Sequence, residues 1–273
     1  MAEISILVVG STDRSEFREA RAVLDALGQV AATADAESAC SALEAGRLTA
    51  DLIVVAQAYP GQFSTEAVDR LRCLAPLARV VGLLGSWCEG ETRSGQPWPA
   101  AVRIYWHQWP AQAGQEIARL RAGTCSAWSL PITASEEERL LLLAEEPVAK
   151  REGLIALSTP DFEMHDWLQA ACVQRGYATM WVLPHRPVST EQVTAAIFDG
   201  NECRGEEQAS LERLAAALGP VPIVALLDFP RIDGRDRALA AGAQAVLSKP
   251  LLIDDLFWQI NRLVESRASS PEA

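Results

Sequence analysis

Lysine is almost missing from this chain: Lys150 and Lys249 stand against 22 arginines in 273 residues. Histidine is nearly as scarce, with only His107, His165 and His185, spaced far apart. The six cysteines, Cys40, Cys73, Cys88, Cys125, Cys172 and Cys203, never form a Cys-x-x-Cys pair. These scarcities argue against a metal site and predict scattered, reduced thiols. Basic charge is nowhere clustered, and 36 acidic against 24 basic residues leave a formal charge of −12. Nucleic-acid binding, which needs clustered cations to meet phosphates, is not expected. No apolar run approaches the ~20 residues that span a bilayer, and the amino end lacks the charged-then-apolar order of a signal peptide. No membrane association and a cytoplasmic location are therefore expected. No serine, cysteine or histidine arrangement suggests a nucleophilic triad, so no enzymatic activity is expected.

What is present is enough apolar residue, 49% of the chain, for two packed cores. In the first half, Ile4 to Val9, Val30 to Thr33, Asp51 to Val55, Val80 to Leu84 and Val102 to Trp106 read as strands. Helical spacing falls on Ser15 to Leu27, Ala36 to Ala45, Ser64 to Leu74 and Ala111 to Arg121. Strands that are apolar at every position belong in a parallel sheet covered on both faces, which predicts a doubly wound α/β domain. Between strands four and five, the glycine- and proline-rich stretch Trp87 to Pro99 leaves a loop as an alternative to a helix.

The second half repeats the order. Strands are predicted over Gly153 to Leu157, Thr179 to Leu183, Ala195 to Phe198, Ile223 to Leu227 and Ala245 to Leu247. Helices are predicted over Met164 to Arg175, Thr190 to Val193, Ala209 to Leu218, Arg235 to Ala241 and Ile253 to Glu265. The expected organisation is a domain over 1–123, an acidic leucine-rich helical connector over 124–151, a domain over 152–265 and a frayed tail over 266–273. In the connector, Ser135 and Glu138 have capping-box spacing ahead of Leu140 to Leu143.

Ligands of open parallel sheets collect beyond the carboxyl ends of the strands. In the second half those ends carry Leu157, Ser158 and Thr159, then Asp199, then Leu227, then Lys249 with Pro250. Asp199 closing an apolar strand, Ala240-Ala241-Gly242-Ala243 leading into strand five, and Ser248-Lys249-Pro250 before an amphipathic helix resemble the receiver domain of two-component response regulators. The resemblance covers nearly all of residues 152–265. It implies a flavodoxin-like (βα)5 fold, Asp199 as phosphoacceptor, Lys249 as the phosphate-contacting lysine, and a cis Lys249-Pro250 peptide. It also implies an acidic pair for a divalent cation after strand one and a hydroxyl after strand four, where this chain has Ser158 and Thr159, and Leu227. Magnesium is usually held by one or two carboxylates, so any binding here is expected to be weak and to require an active Asp199. Asp161 suits a helix cap better than a cation ligand.

By the same register the first half has Gly10 and Ser11 after strand one, Ala56 after strand three, Leu84 after strand four, and Trp109 before Pro110 after strand five. It resembles a receiver fold that has lost every pocket group. Gly10 to Ser15 reads as a turn with a helix cap, or, since backbone amides favour anions, as a phosphate cradle for a small molecule or flavin. Trp98, Trp106 and Trp109, and Phe257 and Trp258 on the last helix, suit either core packing or a partner-binding patch. The expected whole is a tandem of pseudo-receivers that scaffolds signalling proteins: a histidine kinase, another receiver or a second copy in a homodimer. The alternatives are a regulator phosphorylated at Asp199 and a flavodoxin-like small-molecule binder.

Overall fold

The computed structural model describes residues 4–27, 29–91, 95–99, 102–124, 126–131, 133–134, 138, 151–183 and 192–268. The chain separates into two compact units, Met1–Glu146 and Pro147–Ala273.

The first unit holds strands β1 (Ile6–Val9), β2 (Val30–Thr33), β3 (Leu52–Gln57), β4 (Arg79–Leu84) and β5 (Val102–Tyr105). They form one parallel sheet in the order β2-β1-β3-β4-β5. Helices α1 (Arg18–Ala26), α2 (Ala36–Glu44), α3 (Thr65–Leu74) and α4 (Trp109–Ala122) connect and flank them. The second unit repeats this with β6 (Leu154–Ser158), β7 (Ala178–Trp181), β8 (Val193–Asp199), β9 (Ile223–Asp228) and β10 (Ala245–Lys249), ordered β7-β6-β8-β9-β10 and again parallel. Its helices are α5 (Phe162–Gln174), α6 (Glu206–Leu218), α7 (Ile232–Ala240) and α8 (Ile253–Ala268). Each sheet thus has the 2-1-3-4-5 order of the flavodoxin-like, receiver-type fold, with its switch point between the first and third strands.

Alternation along the strands explains why both faces are covered. Ile6 and Val8 enter one core with Phe17, Leu24 and Trp109, while Leu7 and Val9 enter the opposite core with Ala39, Val68 and Leu71. In β8, Ala196 and Phe198 pack toward Leu211 and Leu214, and Ala195 and Ile197 toward Leu168 and Phe257. A fully buried leucine or phenylalanine stabilises by roughly 1.5–3 kcal/mol, so these four layers carry the fold. Local signals agree with the cores: Asp35 and Ser64 accept the Ser38 and Ala67 N–H groups and start α2 and α3. Gly242, at φ +108°, turns the chain into β10, and a Cβ there would lie 2.5 Å from that of Ala215.

Several expectations are corrected. A three-residue 3-10 turn, Ser15–Phe17, precedes α1. Between β4 and β5 a short turn at Ser86–Cys88 is followed by a helical residue at Glu91, residues 92–94 lie outside the described residues, and the indole of Trp98 covers Gly82. Val193, expected in a short helix, is in β8, because it pairs with Leu154 and is buried with Ala196 and Phe198. Residues 126–129, expected in the connector, belong to the first unit: Trp128 is buried there and stacks on Trp109 at 5.7 Å. Helix α8 continues past 265 to Ala268. Ser135 and Leu140 to Leu143 lie outside the described residues.

Candidate functional site

Parallel strands deliver their carboxyl ends to one edge, and in the second unit that edge gathers Thr159 after β6, Asp199 ending β8, Asp228 ending β9 and Lys249 ending β10. The ladder places Lys249 beside Asp228 and Asp199 beside Leu226. Lys249 Nζ lies 2.7 Å from Asp199 Oδ1 and 3.0 Å from Asp228 Oδ1. The second Asp199 oxygen, Oδ2, accepts the Thr159 hydroxyl at 2.7 Å. Asp199 is 8% exposed and Thr159 2%, whereas the Asp228 side chain is half exposed.

A buried carboxylate is costly unless paired, and hydrogen bonds to charged groups contribute about 1.5–3 kcal/mol each, so these contacts offset the burial of Asp199. Burial disfavours the Lys249 ammonium, but its hydrogen bonds to and charge attraction by Asp199 and Asp228 more than offset this and hold its pKa above the ordinary lysine value. Lys249-Pro250 is cis.

The surroundings are equally occupied. The Thr159 hydroxyl also accepts the Asp161 N–H at 3.1 Å, and the Asp161 carboxylate accepts the Glu163 N–H at 2.8 Å as the cap of α5. Ser158 pairs with Phe198 in the ladder. Leu227 is fully buried against the layer of Phe198 and Leu211 and offers no hydroxyl. The donor set does not fit a divalent cation: Ser158 ends β6 and Thr159 follows it with only hydroxyls to offer, Asp161 caps a helix, and Asp199 and Asp228 share a lysine. Among the described residues no group of three or more His, Cys, Asp or Glu is arranged to hold a metal ion.

In the first unit, Ser11 bonds Asp13, and Ala56 and Leu84 are buried apolar residues. Trp109 is corrected: it does not end β5 but opens α4, with Pro110 in the first turn, because Trp109 packs inside the core rather than at the sheet edge. Tyr105 pairs with Leu84 as Ser248 pairs with Leu227, so the next residue, Trp106, stands at the register position of Lys249. Its indole N–H donates to Glu89 at 2.9 Å.

Of the two readings left open for the aromatic candidates, core packing rather than a partner-binding patch is the one observed for four of them. Trp98, Trp106, Trp109 and Phe257 are all at most 5% exposed, because each fills a core layer. The Trp98 indole bonds the Phe63 carbonyl, and Phe257 stacks on Tyr177. Trp258 is half-buried, with the Arg262 guanidinium 5.3 Å over its ring. The exposed aromatics are instead Tyr59, Trp87, Phe162, Trp167 and Phe229.

The loop from Gly10 to Ser15 borders an open cavity of about 340 Å³ lined by Thr12, Asp13, Arg14, Ser15, Arg18, Arg21 and Asp25. No aromatic ring lines it, which removes the stacking surface that a flavin reading requires. Five described cysteines are free; burial pushes the Cys88 thiol up to about 11 and Cys172 to about 12, so both are poor nucleophiles. No described helix is long and apolar enough to cross a membrane.

No protein-family model and no curated protein matches the chain. Solved structures similar to it include the receiver domain of a Francisella response regulator, at 16% identity and TM-score 0.37, covering 42% of this chain and 98% of that one. A CheY-like receiver domain protein from Methanospirillum hungatei is similar at 15% identity and TM-score 0.36, covering 44% and 98%. A putative pilus assembly-related protein from Burkholderia pseudomallei is similar at 19% and 0.37, covering 41% and 89%. At these identities and scores the matches say nothing of what this chain does.

Proposed function

We propose that the chain is a non-enzymatic signalling module: two receiver-type folds that act through protein contacts, without phosphoryl transfer. The observation that carries this reading is the full engagement of Asp199, one oxygen on Lys249 Nζ and the other on the Thr159 hydroxyl, both at 2.7 Å. Each oxygen is already tied to a neighbouring donor, and among the described residues no group of acids is arranged beside Asp199 to bring the cation that phosphoryl transfer would need. The partners are proteins: a histidine kinase, another receiver or a second copy of the chain. Phe162 at the start of α5 and Phe229 after β9 support contact at the rim of the pocket, being 65% and 45% exposed.

The test is incubation with acetyl phosphate and magnesium followed by intact mass; the expected spectrum shows unmodified protein. Beryllofluoride supplies a second readout, because the Trp181 indole donates to the Thr159 carbonyl at 3.0 Å and ties its fluorescence to the pocket. No emission change is expected. A second reading, phosphorylation of Asp199 with Lys249 balancing the added charge, is favoured by the retained contact between them. A phosphoryl mass on the wild type that Asp199→Asn abolishes would establish it in place of the first.

A further inference from the structure

Ala56 leaves the carboxyl end of β3 without an acid, yet a buried carboxylate lies over that end. Glu16, in the 3-10 turn after β1, is only 4% exposed. Its Oε2 accepts the Ser86 N–H just past β4 at 2.8 Å, and its Oε1 lies 3.4 Å from Arg14 Nε. The sheet order β1-β3-β4 means that a side chain reaching from the β1 loop to the β4 end must cross β3. Gly85 makes the room: a Cβ there would stand 2.9 Å from Glu16 Oε1 and 2.8 Å from the Ala58 carbonyl oxygen, so no larger residue fits. Ala56 and Ala58, both buried, keep the floor of the crevice small.

Burying a charge is far costlier than burying a neutral acceptor, and a glutamine or a hydroxyl could tie these two loops together at less cost. The crevice outside the strand ends at the switch point is also where open α/β sheets bind ligands. We propose that this crevice of the first unit is an anion site fitted to a carboxylate, and that Glu16 is its built-in ligand. The acid absent from β3 returns from the neighbouring loop, and the site is closed by the chain itself. All the residues concerned lie in the first unit, so this inference stands or falls separately from the reading of Asp199.

Glu16→Ala in the full-length chain tests it, by thermal unfolding in sodium formate against sodium chloride at equal ionic strength. A ligand that binds only the folded form raises the melting temperature with its concentration. Formate is expected to recover at least half of the melting temperature lost by the variant while leaving the wild type unmoved. Equal action of formate and chloride on the variant, or an equal formate response of the wild type, overturns the proposal. Should Glu16→Ala fail to fold, the near-isosteric Glu16→Gln decides: it keeps an acceptor for Ser86 but removes the charge. It is expected to melt below the wild type and to ignore formate; melting level with the wild type would mean that the charge has no part, and the proposal fails.

Discussion

Lys249 holds two carboxylates at once, and the consequences of removing it differ from those of removing the pair. Lys249→Met leaves Asp199 with the Thr159 hydroxyl alone, an uncompensated buried charge, and is expected to cost about 3 kcal/mol. The double variant Asp199→Asn/Lys249→Met, with a neutral amide needing no cation, is expected to recover most of that loss. Urea unfolding followed through Trp181 separates the two; a double variant as unstable as the sum of its parts would contradict the pairing. Because the folded lysine pKa is raised, the stabilisation is fully present below about pH 10.4, the unfolded value, and is lost as pH rises through the folded one. His107 works in the opposite direction. Burial, with Nδ1 unpartnered, pushes its pKa down to about 3, so the folded protein keeps the ring neutral while the unfolded chain protonates it near 6.5. Unfolding takes up a proton between those values, and stability falls with acidity by about 1.4 kcal/mol per pH unit on this account. His107→Phe is expected to flatten the acid limb by that slope in urea unfolding between about pH 4 and 6; an unchanged slope would remove His107 as its cause.

At the scale of elements, the connection from β4 to β5 shows how one side chain covers a strand. Trp98 lies against Gly82, meets Phe63 edge-on with ring centroids 6.4 Å apart, and donates to the Phe63 carbonyl at 2.9 Å. Trp98→Ala removes the ring and its hydrogen bond, and a loss of about 3–5 kcal/mol is expected in chemical denaturation. A loss within the range of a surface substitution would show that the layer closes without it. Strands and helices were legible because their signals are local: the six-residue run of β3 is apolar at five positions, and Asp35 and Ser64 mark helix starts. Ladder register was not legible. Counting toward a proline pointed to Trp109, while the hydrogen-bonded alignment with Leu84 selects Trp106, three residues earlier. The tryptophans stayed open between core and surface patch for a related reason: composition counts rings but carries no information on which layer each one fills.

The whole molecule is two copies of one architecture with different edges. The placement of Asp199 and Lys249 at strand ends could be read from the sequence, and that they share one site was implied by the resemblance to receiver domains. Thr159 as the second partner of Asp199, and Glu16 over β3, could not, because both depend on side chains turning inward from loops whose sequence also suits ordinary caps. Over the surface, a net charge of −12 and a pI near 4.8 predict weak affinity for polyanions. No shift of duplex DNA is expected in gels at about 0.15 M salt, and a sub-micromolar dissociation constant there would contradict the charge argument. Register position 106 and position 249 are equivalent donors, an indole N–H answered by Glu89 and an ammonium answered by Asp199 and Asp228. Only the second can lose its proton, and the first unit buries a neutral histidine, His107, beside its donor. Alkali therefore strips the donor at position 249 and leaves the equivalent indole at 106 its proton, while acid bears on the amino-terminal unit through His107, so the two copies of one edge answer pH by different groups.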